Sequence, residues 1–435
     1  MEALAGLYEF LNQGVSPYHS AAAAIALLQQ AGYKPLLESE IWAPEWGGKY
    51  YICRGGTAVA AFALPEQGGL KSWRLTASHG DSPTFRVKAT EVPAAGDTVR
   101  LEAEPYGGLI LHTWFDRPLT VAGRILVRGG EGIRPRLVYI DKDLCIMPSL
   151  AIHMDRTLNE GHKPEPQTEL QPLLGLHGAV TLRDILAGEG GVCPHTDILA
   201  MDLTLCPRQK AVSLGTEGEL FASPRIDDLE CAYTTLRAFL AAKPQPGTAL
   251  VWAMMDNEEV GSGSRKGALG DFLPTAMDRF AEVLGLSRQQ AAAARAAGFA
   301  LSCDNAHAIH PAHPEKADPQ NAPRLGGGVV LKWAANQSYT TDGMSGAVFG
   351  EICERAGVPV QHFANRAGQP GGSTLGNLQN RALGMPMADI GLAQLAMHSC
   401  VETASTLDAH YMVKAMLAFY NAELAPAPDG GWRIG

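Results

Sequence analysis

The 435-residue sequence has no run of the roughly 18 apolar residues that a membrane-spanning helix needs. Nothing in it is expected to cross a bilayer. Basic charge is in deficit: 35 Lys and Arg stand against 45 Asp and Glu, a formal net charge of −10. That balance argues against nucleic acid or an anionic membrane surface as the main partner. The N-terminus, Met-Glu-Ala-Leu-Ala-Gly-Leu-Tyr-Glu, lacks the basic start of a secretory signal. The eight cysteines are scattered and include no CxxC pair. They read as reduced core residues, and the expected location is the cytoplasm. No internal repeat is visible.

What is present is the composition of a globular chain, 46% hydrophobic and 18% charged. Its length exceeds one ordinary core, so two domains are expected. Ser16 and Pro17 start a helix that runs to Gln30. Residues 49–54 and 57–64 read as a hairpin, and 75–78 as a strand. From about residue 88 short strands at 109–115, 119–128 and 133–140, a helix near 180–187 and a strand at 197–205 suggest an inserted β-rich unit over 88–222. From Ser223 the rhythm is strand–helix–strand, closing on a long helix over 402–423. The fold class expected is α/β: a mixed, largely parallel sheet flanked by helices, built from 1–87 and 223–435, with the β-rich second domain inserted.

The most informative stretch is Val251 to Ser262. The apolar run Val251 to Met255 reads as a buried parallel strand. It stops at Asp256-Asn257, and Glu258 and Glu259 follow before a Gly-rich turn. In open α/β sheets this edge, beyond the carboxyl ends of the strands, is where ligands bind. Adjacent glutamates repel unless a cation compensates them, so one can bind a metal while the other faces its water. The other reading is a solvated acidic loop. Four more residues with metal-type side chains sit at predicted strand ends or helix starts: His79, Asp227, Asp304 and His398. Asp81, two residues after His79, can fix that imidazole's tautomer. Singly, such residues are more often hydrogen-bonded histidines or helix caps. Together they form the ligand set of a two-zinc hydrolase with a spare glutamate as base.

His79-Gly80-Asp81-Ser82-Pro83, Ser223-Pro224-Arg225-Ile226-Asp227, Asp256 to Ser262, Ser302-Cys303-Asp304-Asn305-Ala306-His307 and Ala396-Met397-His398-Ser399 resemble, in order, the aspartyl aminopeptidase family of zinc exopeptidases. Ala151-Ile152-His153 and Asn159-Glu160-Gly161 extend the likeness into the inserted unit. The resemblance implies that Asp227 bridges two zinc ions, that His398 and Glu259 complete one and His79 and Asp304 the other, and that Glu258 is the general base. Mn²⁺ or Co²⁺ are possible substitutes. Four positive charges are then balanced by three carboxylates and one hydroxide, which suits a partly dry cleft. It also implies peptide substrates with a free, acidic N-terminus, with Lys332 near the acidic side chain. It further implies a homo-oligomer, with a dodecamer as the arrangement the family suggests, in which His153 reaches a neighbour's active site. From the residues alone, Lys332 reads equally as a surface lysine and His153 as a buried histidine.

The chain departs from the family pattern at Gly80, Lys266 and Trp333, which bears on substrate preference more than on the ligands. Gly261 to Gly267 fits neither nucleotide-binding spacing. Gly343-Met344-Ser345-Gly346 lacks the spacing of a nucleophile elbow. His307, His310 and His313 are interrupted by prolines and read as structural, with some metal potential at His307 because it lies close to Asp304. Gly371-Gly372 either lines the cleft or turns the chain. Two rival functions remain at this point. One is a related two-zinc hydrolase, an N-acyl amino acid deacylase or carboxypeptidase; the other is a non-catalytic assembly protein.

Overall fold

The apolar run ending at Met255 forms the strand Thr248–Met255, buried along its whole length. Its alternate faces explain why. Leu250, Trp252 and Met254 join one hydrophobic core, and Val251, Ala253 and Met255 join another. Such a strand needs helices on both sides. Pro17–Gln30, Ile226–Ala241, Gly343–Arg355 and Thr406–Asn421 supply the first core; Phe272–Val283, Arg288–Ala296 and Leu375–Leu383 supply the second. The structure is a computed structural model and describes residues 2–67, 69–176, 180–194, 197–369 and 371–435.

Nine strands make the main sheet, in the order Lys34–Pro35, Lys49–Arg54, Ala58–Ala63, Thr248–Met255, Ser72–His79, Phe299–Cys303, Met387–Gly391, Val329–Trp333 and Val360–Ala364. The four from Thr248–Met255 to Met387–Gly391 run parallel to one another. Antiparallel pairs occur at Ala58–Ala63 and between Met387–Gly391 and Val329–Trp333. The sheet is therefore mixed and mainly parallel, as expected. Among the described residues no helix is long and apolar enough to cross a membrane.

A second, wholly antiparallel sheet orders Gly132–Tyr139, Leu119–Gly129, Ile198–Pro207, Thr84–Ala94, Thr98–Tyr106 and Leu173–Leu176 around its own core. A third sheet orders Val212–Leu214, Leu220–Ser223, Glu402–Ser405, Ala393–Leu395 and Ala306–His307. It lies at the carboxyl ends of the parallel strands, because two of its strands directly follow Cys303 and Gly391.

Two local readings differ from the sequence. Residues 109–115 hold a 3₁₀ turn, Leu111–Trp114, rather than a strand. The Ile110 N–H donates to the His398 carbonyl instead of a ladder partner, and Trp114 is buried. The last helix begins at Thr406, not 402: Glu402–Ser405 is a strand, and the Ser405 hydroxyl caps the helix through the Leu407 N–H.

Candidate metal centre

The ends of the parallel strands bring the five ligand candidates together. His79 is the last residue of its strand, Asp304 follows Cys303, and Glu258 and Glu259 lie in a 3₁₀ turn just past Met255. Asp227 sits near the start of the helix Ile226–Ala241, where the backbone is not yet helical. His398, at φ 67°, occupies the turn between Ala393–Leu395 and Glu402–Ser405.

Asp227 divides its carboxylate between two clusters. Its Oδ1 is 3.4 Å from His79 Nε2, which is 3.9 Å from Asp304 Oδ1. Its Oδ2 is 3.5 Å from His398 Nε2, which is 3.4 Å from Glu259 Oε2. Ligands about 2.0–2.2 Å from a tetrahedral zinc lie roughly 3.3–3.6 Å from one another, so most of these separations are those of atoms sharing an ion. Asp227 Oδ1 and Glu259 Oε1 are buried without a hydrogen-bond partner. Both imidazoles present Nε2 because Nδ1 is committed elsewhere. His79 Nδ1–H donates to the Asp81 carbonyl at 3.0 Å, and His398 Nδ1–H to the Gly108 carbonyl at 2.8 Å. The donor set, its spacing and its unpartnered oxygens fit zinc.

Charge points the same way. Burial lowers the proton affinity of both imidazoles, but the facing carboxylates outweigh it, lifting His79 well above its ordinary value and His398 to about 9. Burial also raises Glu258, to about 8, with His79 opposing and Asp304 adding. Burial and then Asp227 push Glu259 well up. Positive charge among these groups relieves all of them.

The surrounding residues hold this geometry. The Asp81 carboxylate is 3.6 Å from His79 Nδ1, so the tautomer is set by its main-chain carbonyl rather than its side chain. Instead the carboxylate accepts the N–H groups of Glu258 and Glu259, both at 3.2 Å. Asp228 accepts the His79 N–H at 3.0 Å. Glu402 accepts the N–H groups of Asp227 at 3.1 Å and His398 at 2.8 Å. Sequence reading missed Glu402 because it fell inside an apparent helix; its one signal was an acid beside the small residues Thr403, Ala404 and Ser405. Gly80 does not loosen the loop: its N–H donates to the Met255 carbonyl, and a Cβ there would meet Met254 at 2.9 Å. Lys266 pairs with Asp256 at 2.5 Å.

Other candidates fall differently. Lys332 is 2% exposed, not a surface residue; Nζ donates to the Asn305 carbonyl at 2.7 Å and lies 3.9 Å from Asp304 Oδ2. His153 is exposed, not buried, on a loop with the exposed apolar residues Leu150, Ile152 and Met154. His307, His310 and His313 join no metal-type cluster among the described residues. Ser345 belongs to a helix cap with Asp342. A cavity of about 350 Å³ beside the His398 turn is lined by His307, Arg366, Gly371, Gly372, Ala396 and Met397, among others.

Residues 10–420 match the family described as aminopeptidase I zinc metalloprotease (M18). The chain belongs to the M18 family of zinc aminopeptidases. This M18 chain is 37% identical over 424 residues to a probable M18 family aminopeptidase 2 of Clostridium acetobutylicum, spanning 95% of this chain and 98% of that one. It is 35% identical over 434 residues to a probable M18 family aminopeptidase 2 of Pseudomonas putida, spanning 97% and 98%. Its fold matches a chain of the solved Ape4 and Nbr1 complex with TM-score 0.92 and 31% identity, over 96% of this chain and 85% of that one. It also matches the S. cerevisiae mApe1 dodecamer with TM-score 0.83 and 25% identity, over 96% of each. Membership of an aminopeptidase family sets aside the deacylase, carboxypeptidase and scaffold readings.

Proposed function

We propose that this M18 aminopeptidase removes an N-terminal Asp or Glu from peptides with a free N-terminus, using two zinc ions. His79, Asp227 and Asp304 would hold one ion, and Asp227, Glu259 and His398 the other; Mn²⁺ or Co²⁺ could take their place. The observation that carries this reading is the division of Asp227 between two histidine–carboxylate pairs. Bound zinc supplies Lewis acidity, lowering the pKa of a water to about 7 and polarising a carbonyl. Glu258 stands within coordinating reach of His79 and Glu259 and is the residue of the turn left over by the two ligand sets. Its role is to take the proton from the attacking water and return it to the departing amine. The preference for an acidic residue is supported by the buried Lys332 ammonium behind Asp304, which Asp304 keeps protonated against burial.

Residues 1–87 and 223–435 serve as the catalytic unit, and 88–222 as an inserted unit for association. The antiparallel sheet supports this, although its strands put the joins near Thr84 and Pro207. The exposed loop around His153, and the dodecameric mApe1 relative, support a homo-oligomer in which His153 reaches a neighbouring subunit's site. Buried thiols without a disulfide, at Cys145, Cys206, Cys231, Cys303, Cys353 and Cys400, suit the cytoplasm. Substitution tests the base. Glu258→Gln should abolish hydrolysis of Asp- and Glu-capped peptides while zinc content stays at the unmodified level. Full activity in that variant removes Glu258 as the base.

A further inference from the structure

The two metal positions are supported from different parts of the chain. Around His79 and Asp304, the partners are Asp81, Asp228, Lys332 and the Ile390 carbonyl, which accepts the Asp304 N–H at 3.0 Å. Asp228, Lys332 and Ile390 belong to the main sheet and its helices, and Asp81 to the loop that directly follows His79. Around Glu259 and His398 the backbone N–H groups are held by Asp81 and Glu402, and the antiparallel sheet adds contacts found only at this position. Tyr106 is the last residue of its strand Thr98–Tyr106. Its hydroxyl donates to Asp81 Oδ2 at 2.7 Å and accepts from Asn257 Nδ2 at 2.9 Å, clamping the turn that carries Glu258 and Glu259. Gly107, at φ +81°, packs so tightly that an added Cβ would lie 3.1 Å from Glu259 Cβ. The Gly108 carbonyl holds His398 Nδ1–H, and the next contact, Ile110 N–H to the His398 carbonyl, fixes that turn's backbone at 3.0 Å.

We infer that Tyr106, Gly107 and Gly108 are positioning residues through which the antiparallel sheet sets the metal affinity of the Asp227–Glu259–His398 position, and not that of the Asp227–His79–Asp304 position. The inference rests on the two-zinc reading. It follows from geometry: both ligands that are unique to one position touch a single segment of that sheet. Tyr106 bears on His79 only indirectly, since His79 uses the Asp81 carbonyl and Tyr106 the carboxylate. A shift of the antiparallel sheet is thus transmitted to one ion and spares the other.

The test is zinc binding by the full-length metal-depleted protein, in competition with a chromophoric chelator. The unmodified protein should bind two zinc ions, and His398→Ala identifies which part of the isotherm belongs to its position. Tyr106→Phe keeps the ring and removes the hydroxyl. The hydroxyl acts on the ligand turn through Asp81 and Asn257, so its loss should weaken that zinc towards the low end of the roughly 10- to 100-fold that loss of an outer-shell partner costs, and change the other about twofold or less. Excess zinc should restore turnover. Gly107→Ala, which presses on Glu259, should give the same selective loss. Equal weakening of both ions, or no weakening in either variant, overturns the inference. A single zinc in the unmodified protein overturns the two-zinc reading itself, and the inference with it.

Discussion

Glu402→Gln is the substitution whose effect follows most directly from the hydrogen bonds around the metal centre. The Glu402 side chain is 1% exposed, and its two oxygens accept the backbone N–H groups of Asp227 and His398. Glutamine has nearly the same shape but only one acceptor oxygen. Its NH₂ group must therefore face one of the two N–H groups, donor against donor. Leaving one of these buried N–H groups unsatisfied costs about 1–3 kcal/mol, which corresponds to roughly 5- to 150-fold at about 1.4 kcal/mol per factor of ten. The loss should appear in zinc affinity, because both displaced backbone groups belong to the proposed ligands Asp227 and His398. Chelator competition on the folded full-length protein measures it, and circular dichroism confirms that the fold survives. Unchanged zinc affinity and unchanged kcat would refute the reasoning and reduce Glu402 to a core-filling residue.

Lys332→Met should lower kcat/KM for Asp-capped peptides by roughly tenfold or more, as expected when a buried charge pair loses its cation. Leu-capped peptides should lose less; equal losses would remove Lys332 from substrate recognition. His19, which is not among the candidate ligands, gives a pH prediction. Burial, aided by Arg225, lowers its pKa to about 4. The unfolded chain then takes up a proton near pH 6.5 that the folded chain refuses, so the stability present above that pH is lost as the pH falls towards 4. The change is up to about 3 kcal/mol. Urea melts at pH 6.5 and 4.5 should show it, and His19→Gln should flatten this part of the slope; an unaltered slope excludes His19 as its source.

What could be read from the sequence was what local pattern encodes. The buried strand before Glu258 and Glu259 was legible because parallel strands are continuously apolar, and the helix from Pro17 because Ser16 and Pro17 mark its start. The convergence of His79, Asp227, Glu259, Asp304 and His398 was legible because each ends or follows a strand or opens a helix. Long-range contacts were not. Glu402 looked like the first turn of a helix, and its hydrogen bonds reach back 175 residues to Asp227. Gly108 carries no side chain, so its carbonyl on His398, 290 residues away, leaves no trace in composition. The burial of Lys332 and the exposure of His153 were not legible either, since a surface lysine and a buried histidine read as well from the residues. Burial of a lysine depends on a partner such as Asp304, and exposure of a histidine on a loop depends on what the loop packs against.

The most direct measurement is anomalous scattering at the zinc edge from crystals of the zinc-loaded protein. Two peaks about 3.5–4 Å apart should flank the Asp227 carboxylate, one against His79 and Asp304 and the other against Glu259 and His398. A single peak, or a pair in which Asp227 touches only one ion, would contradict the account.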